Sequence, residues 1–155
     1  MSRKIEINIY KGLPMVQGKI RFVALAAVMG RTPSWISNKL WHLTVNNKKA
    51  EFTINDLQLV NSSMQALGDE IEANIVEYCE NREKIIAQIK ILSGLVSMPY
   101  IYTEVLKVKK SWYTNRTKSY SDGYRVSSFS EDDIIRINMA AMQIANELRS
   151  LEFTL

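Results

Sequence analysis

Ser34-Trp35-Ile36-Ser37-Asn38-Lys39 returns 77 residues later as Ser111-Trp112-Tyr113-Thr114-Asn115-Arg116. The same offset carries residues 28–71 onto residues 105–148 without a gap. Phe52 falls on Phe129, Asp56 on Asp133, Asn61 on Asn138 and Glu70 on Glu147. Similar residues coincide as well: Ser37 with Thr114, Thr53 with Ser130, Leu57 with Ile134, Val60 with Ile137, Leu67 with Ile144, Ile71 with Leu148. A repeat at fixed spacing says more about architecture than any single motif. It makes the 155-residue chain two copies of one small unit, each of roughly 60–75 residues, about the lower size for independent folding.

Working outward from the repeated stretch, residues 19–29 are apolar and alanine-rich and read as a buried helix, which Gly30 stops. Thr32 is placed to cap a second helix with Pro33 at its first position, running to about residue 42. Thr44–Ala50 is a polar loop or hairpin. Thr53-x-x-Asp56 is a capping box that opens a long helix, with Phe52 placed as its staple. In the second copy, helices are expected at 100–107 and 110–118. A polar loop with an Asp122-Gly123 turn follows, then a helix from Ser130-x-x-Asp133 to about Ser150.

Between the copies, Ile71, Ile75, Tyr78, Arg82, Ile85, Ile89 and Leu92 step by four and three, as on an apolar seam. It fits an intramolecular core or a zipper between two chains in a homodimer. Residues 4–10 alternate at the strand period, as a short strand or an irregular arm. These readings predict an all-α fold of two tandem helix-turn-helix-like repeats, with a short N-terminal strand or arm. Residues 1–75 would form the first unit, 76–96 a helical linker, and 97–155 a second, diverged unit.

The net charge of +4 is modest, but its distribution is not even. Residues 30–49 carry Arg31, Lys39, Lys48 and Lys49 and no carboxylate. Residues 107–126 carry Lys107, Lys109, Lys110, Arg116, Lys118 and Arg125 against Asp122 alone. Corresponding segments of both copies are therefore basic, as on an edge that faces a polyanion. The duller reading is a solvated surface.

Helix, glycine turn, then a short helix with a basic outer face is a helix-turn-helix layout. Ala26, four residues before Gly30, is small enough for two helices to cross closely, and Ile36 points back into the core. Arg31, Thr32, Ser34, Ser37, Asn38 and Lys39 are then the outward candidates, joined by Lys48 and Lys49 of the loop. In the second copy the candidates are Lys109, Lys110, Ser111, Asn115, Arg116 and Lys118. Arg and Lys suit guanine and phosphate, Asn suits adenine, and hydroxyls suit phosphate.

Leu25-Ala26-x-x-x-Gly30-x-Thr32-x-Ser34-x-Ile36-Ser37 resembles the helix-turn-helix of phage repressors of the Cro/C1 type. Gly30-Arg31-Thr32-Pro33-Ser34-Trp35-Ile36…Leu40, with Phe52-Thr53-x-x-Asp56 after a loop, is similar to an uncharacterised helix-turn-helix family of Bacteroidetes bacteria and their phages. The resemblance covers about residues 20–72. It implies a small all-α fold, a DNA-binding role and a recognition helix at residues 33–41. The second copy departs from the pattern: Lys107 replaces the glycine, Thr103 replaces Ala26, Tyr113 stands for Ile36 and Thr117 for Leu40. Its turn is expected to be wider and its helix less well seated.

Several residues keep two readings. Trp35 and Trp112 are core anchors or base-stacking rings. Asn38 and Asn115 read adenine or bond locally, and Lys48 and Lys49 face phosphate or water. His42 reads as a surface or phosphate-facing residue and Cys79 as a small apolar group. One histidine and one cysteine leave little for catalysis, an internal disulfide or a metal site. The chain lacks a Gly-rich phosphate loop, Cys-x-x-Cys, His-Glu-x-x-His and a nucleophile elbow. The expectation is therefore no enzyme, no cofactor and no metal. No apolar run reaches the ~18–20 residues of a membrane span, and a reducing cytoplasm is the simplest setting. The function expected is sequence-specific binding of double-stranded DNA by a regulator whose two units act as a tethered pseudo-dimer. Its rivals are a protein-interaction or phage-assembly module and a nonspecific architectural DNA binder.

Overall fold

The computed structural model describes residues 3–119 and 126–155. The Asp122-Gly123 turn and Arg125 lie outside the described residues. In chain order the elements are β1 (Ile5–Asn8), α1 (Ile9–Gln17), α2 (Phe22–Met29), α3 (Pro33–Leu40), β2 (Thr44–Val45), β3 (Lys48–Lys49), α4 (Ile54–Ala73), α5 (Arg82–Ser93), α6 (Met98–Tyr100) with a π-helical turn at Ile101–Val105, α7 (Lys110–Thr117), α8 (Glu131–Ser150) and β4 (Leu151–Thr154).

The all-α expectation is corrected. The described residues form two two-stranded sheets, β1 with β4 and β2 with β3. β1 and β4 run parallel, with Ile5 opposite Leu151 and Ile7 opposite Phe153. The β1 alternation was visible locally, but its partner begins directly where α8 ends. Leu151 and Phe153 face the core there while Glu152 faces out. Phe153 seats against Gly12 of α1, where a Cβ would collide with its ring. β2 and β3 form a hairpin around Asn46-Asn47 (φ 52° and 64°), the positive-φ pair that a two-residue hairpin turn demands.

The helical linker also needs correction. The segment after α4 is not helical as far as Asn81, whose side chain caps α5, and only the part of the linker at Arg82–Ser93 is a helix. Under the 77-residue offset, α5 overlies the β1–α1 region, so it opens the second copy. Ile71, Ile85, Ile89 and Leu92 of the seam are buried within this chain, whereas Ile75 and Tyr78 are partly exposed. One continuous hydrophobic core takes in buried residues of both copies.

The copies match in structure over their short and long helices, although the first copy's strand β1 corresponds to helix in α5. α3 and α7 occupy offset-equivalent residues, as do α4 and α8. Their contacts are reciprocal. The Asn61 side chain donates to the Phe153 carbonyl (3.0 Å) and accepts its N–H (2.8 Å). Asn138, the equivalent of Asn61, donates to the Val76 carbonyl (2.7 Å) and accepts its N–H (2.8 Å), and Val76 is the equivalent of Phe153. Contacts in which i meets j and j meets i mark a two-fold relation. A second reciprocal contact is the antiparallel bridge of Ile20 with Val96, flanked by the Ser97 N–H on the Lys19 carbonyl (2.8 Å). α4 and α8, the most extensively packed pair of elements, come together where Gly68 meets its own equivalent, Ala145. A Cβ at Gly68 would lie 2.9 Å from the Ala145 carbonyl oxygen.

Candidate nucleic-acid interface

In the first copy α2 buries Leu25, Ala26 and Met29. Gly30 takes a left-handed φ of 68°, and its N–H returns to the carbonyls of Ala26 and Ala27. Glycine is favoured there because a Cβ strains that conformation. The Thr32 hydroxyl accepts the Trp35 N–H (3.3 Å), so α3 starts at Pro33. Ile36 and Leu40 anchor α3 in the core. The Leu43 N–H then donates to the Asn38 carbonyl (2.9 Å), and the Ala50 N–H to the Leu43 carbonyl (2.9 Å). These bonds fix the β2–β3 hairpin to the C-terminal end of α3.

Of the first copy's candidates, Arg31, Thr32, Ser34, Lys48 and Lys49 are exposed, and Ser37 and Asn38 are half-buried. The Thr32 hydroxyl is already engaged as the cap. Arg31 lies against the Trp35 ring (5.6 Å to its centroid) and donates to the Gly30 carbonyl.

Lys39 is not an outward group. Its ammonium donates to Asp56 (2.7 Å) and to the Glu51 carbonyl (3.0 Å) and sits 4.9 Å from the Trp35 ring centroid. Only 18% of its side chain is exposed. Burial works to raise the Asp56 carboxyl pKa, but the hydrogen bonds from Lys39 and Thr53 outweigh it. The group therefore titrates below its ordinary value.

The second copy repeats this clip. Arg116 stacks 4.3 Å from the Trp112 centroid and donates to the Trp112 carbonyl (3.0 Å). Its Nε lies 3.8 Å from Asp133, an ion-pair rather than a hydrogen-bond distance. In both copies the tryptophan is half-buried and meets the staple phenylalanine edge-on, Trp35 on Phe52 at 6.2 Å and Trp112 on Phe129 at 5.6 Å. Each clip ties the short helix to the capping box of the long one. The repeat identities Asp56/Asp133 and Asn61/Asn138 are therefore structural: the aspartates pair with the clip cations and the asparagines bond across the two copies.

The second turn keeps its conformation without glycine. Lys107 stands at φ 58°. The π-helical turn before it lengthens the closure, with the Val108 N–H reaching the Tyr102 carbonyl six residues back, whereas Arg31 reaches Ala26, five back. Tyr113, in the place of Ile36, stacks on Tyr102 (5.3 Å). No residue of α7 is fully buried. Lys109, Lys110, Ser111 and Lys118 are exposed, and Asn115 is half-buried. Arg82 of α5 holds the end of α7 through the carbonyls of Arg116 (3.2 Å) and Lys118 (2.7 Å). His42, at φ 53° just past α3, stacks on Tyr10 at 4.6 Å.

Among the described residues no group of three or more His, Cys, Asp or Glu side chains is placed to hold a metal ion, and no helix is long and apolar enough to cross a membrane. Residues 16–77 match the model of a domain of unknown function (DUF5053). That segment holds α2, α3, the hairpin and α4, and it ends before the second copy. No curated protein and no solved structure matches the chain.

Proposed function

We propose that the chain binds double-stranded DNA sequence-specifically, as a transcriptional regulator of the phage-repressor kind, with α3 as its main reading helix and α7 as a second, diverged one. The observation that carries this reading is the two-fold relation between the copies. A dyad-related pair of short helices matches the dyad of duplex DNA, as in dimeric repressors whose helices lie about one turn (~34 Å) apart. Here both would come from one chain, so the second contact costs little further translational freedom. The unequal copies favour an imperfect palindrome.

The cationic contribution is narrower than the sequence suggests. Lys39 and Arg116 serve the fold, which leaves Arg31, Lys48 and Lys49 in one copy and Lys109 and Lys110 in the other for phosphate. Such a role needs no catalysis, cofactor, metal or membrane and places the protein in the cytoplasm. A polarisation titration with a DNA pool at several salt concentrations tests it. Affinity should fall steeply with salt, and selection from random duplexes should return one preferred site.

One observation favours a protein-assembly role instead. Trp41 is 56% exposed, beside exposed Leu43 and Val45. Charge reversal at Lys48 and Lys49 separates the two readings. It abolishes DNA binding but spares a contact centred on apolar groups. A nonspecific architectural binder would hold random and selected duplexes equally.

A further inference from the structure

Resting on the DNA-binding reading, we propose that the β2–β3 hairpin is a second reading element, whose Asn46-Asn47 tip enters the minor groove beside the site of α3 and prefers A·T pairs there. The hairpin is fully displayed: every residue from Leu43 to Lys49 is exposed. It is also short, with only two residue pairs, Thr44 with Lys49 and Val45 with Lys48. So small a ribbon is marginal by itself, yet the Leu43 and Ala50 backbone bonds tie it to the end of α3. Wherever α3 docks, the tip is carried to the flank of that site.

Its chemistry suits the minor groove. Strands lie ~4.8 Å apart before side chains are added, so in a groove ~6 Å wide only the tip can enter. The tip consists of two primary amides, whose NH2 groups can donate to the A N3 and T O2 acceptors of the minor groove, whereas the G N2 amino group of a G·C pair would occupy the groove floor that the tip must reach. Lys48 and Lys49 follow at once, placed for the phosphates on the groove walls, and residues 40–50 carry no carboxylate to oppose them. A·T-rich minor grooves are narrow and strongly negative, which favours such cations. The second copy carries Gly123 and Tyr124 at the positions of Asn46 and Asn47, so the preference should appear on one side of the site only.

The test uses the full chain and a duplex recovered by selection from a random pool. Replacing flanking A·T pairs by G·C should weaken binding about tenfold, within the usual range for one mismatched position. Replacing them by inosine·cytosine, which keeps the A·T pattern in the minor groove and shows the G·C pattern in the major groove, should leave affinity within about twofold. The N46G/N47G double variant keeps a turn that glycine tolerates and should lose the flank discrimination while still binding the centre. Inosine·cytosine behaving like G·C, or flank discrimination surviving in N46G/N47G, overturns the hairpin assignment and leaves DNA binding intact. Absence of salt-dependent binding by the wild-type chain overturns both.

Discussion

Lys39 shows how a residue type misleads when its neighbours are far away in sequence. On a short basic helix a lysine reads as a phosphate contact, and nothing within four residues argues otherwise. Its partner Asp56 lies 17 residues on, in the capping box of α4. There it serves both the cap and the ion pair, through the Thr53 N–H (2.9 Å) and the Lys39 ammonium. Asp56→Asn should therefore destabilise the protein by about 1–3 kcal/mol, the usual loss for a charged hydrogen bond, read from the urea midpoint at neutral pH. The effect should also depend on pH. The folded-state pKa is lowered, so the stabilisation is full above the ordinary carboxylate value of 3.8 and disappears as pH falls through the folded value. Wild type and Asp56→Asn should thus converge in stability once the pH has fallen below the lowered folded-state value. A gap that persists there would mean that the clip does not depend on the carboxylate charge. The same reading predicts that Lys39→Glu unsettles the fold, so loss of DNA binding in that variant says nothing about contact, whereas Lys48→Glu and Lys49→Glu do.

The two turns make a paired experiment at the level of the element. Gly30 and Lys107 share a left-handed backbone at equivalent places, φ 68° and 58°. A side chain in that conformation costs about 1–2 kcal/mol. Gly30→Ala should accordingly lower stability by about 1 kcal/mol, and Lys107→Gly should raise it by a similar or smaller amount, since glycine relieves the strain but adds freedom to the unfolded chain. Thermal melts of the two variants should move in opposite directions. Equal signs would show that the second turn is held by something other than its dihedral. The elements themselves were largely legible. α3 and α4 were marked by Thr32-Pro33 and by the Thr53/Asp56 box, and α7 and α8 by the offset, because caps act within three or four residues. The left-handed lysine was not legible, because local preference favours glycine there and tertiary packing overrode it. Nor was β4, which looks like the frayed end of α8 until β1 is laid beside it.

At the scale of the molecule the repeat was legible and its consequence was not. Asn61 and Asn138 stood out as identities, but an asparagine in mid-helix gives no hint of its partner across the two-fold. Each satisfies both backbone groups of a buried residue in the other copy, Phe153 and Val76. Deleting either amide leaves a buried N–H and a buried C=O to find water or remain unpaired, at about 1–3 kcal/mol for each such group. Asn61→Ala and Asn138→Ala should therefore each cost about 2–6 kcal/mol, in one transition with an unchanged denaturant slope. The reason is the continuous core: with Ile89, Leu67 and Ile144 in a single cluster, neither half can open without stripping apolar surface from the other. Single-tryptophan reporters make this decisive. One variant retains Trp35 and reports on the first copy, and another retains Trp112 and reports on the second. Asn61→Ala should lower the urea midpoint of each reporter by a similar amount, measured against that reporter's own single-tryptophan parent. A shift confined to the Trp35 reporter would mean two independently folding units joined by a tether. The dyad would then be a loose association, and the fixed spacing of α3 and α7 that the DNA-binding reading requires would be lost.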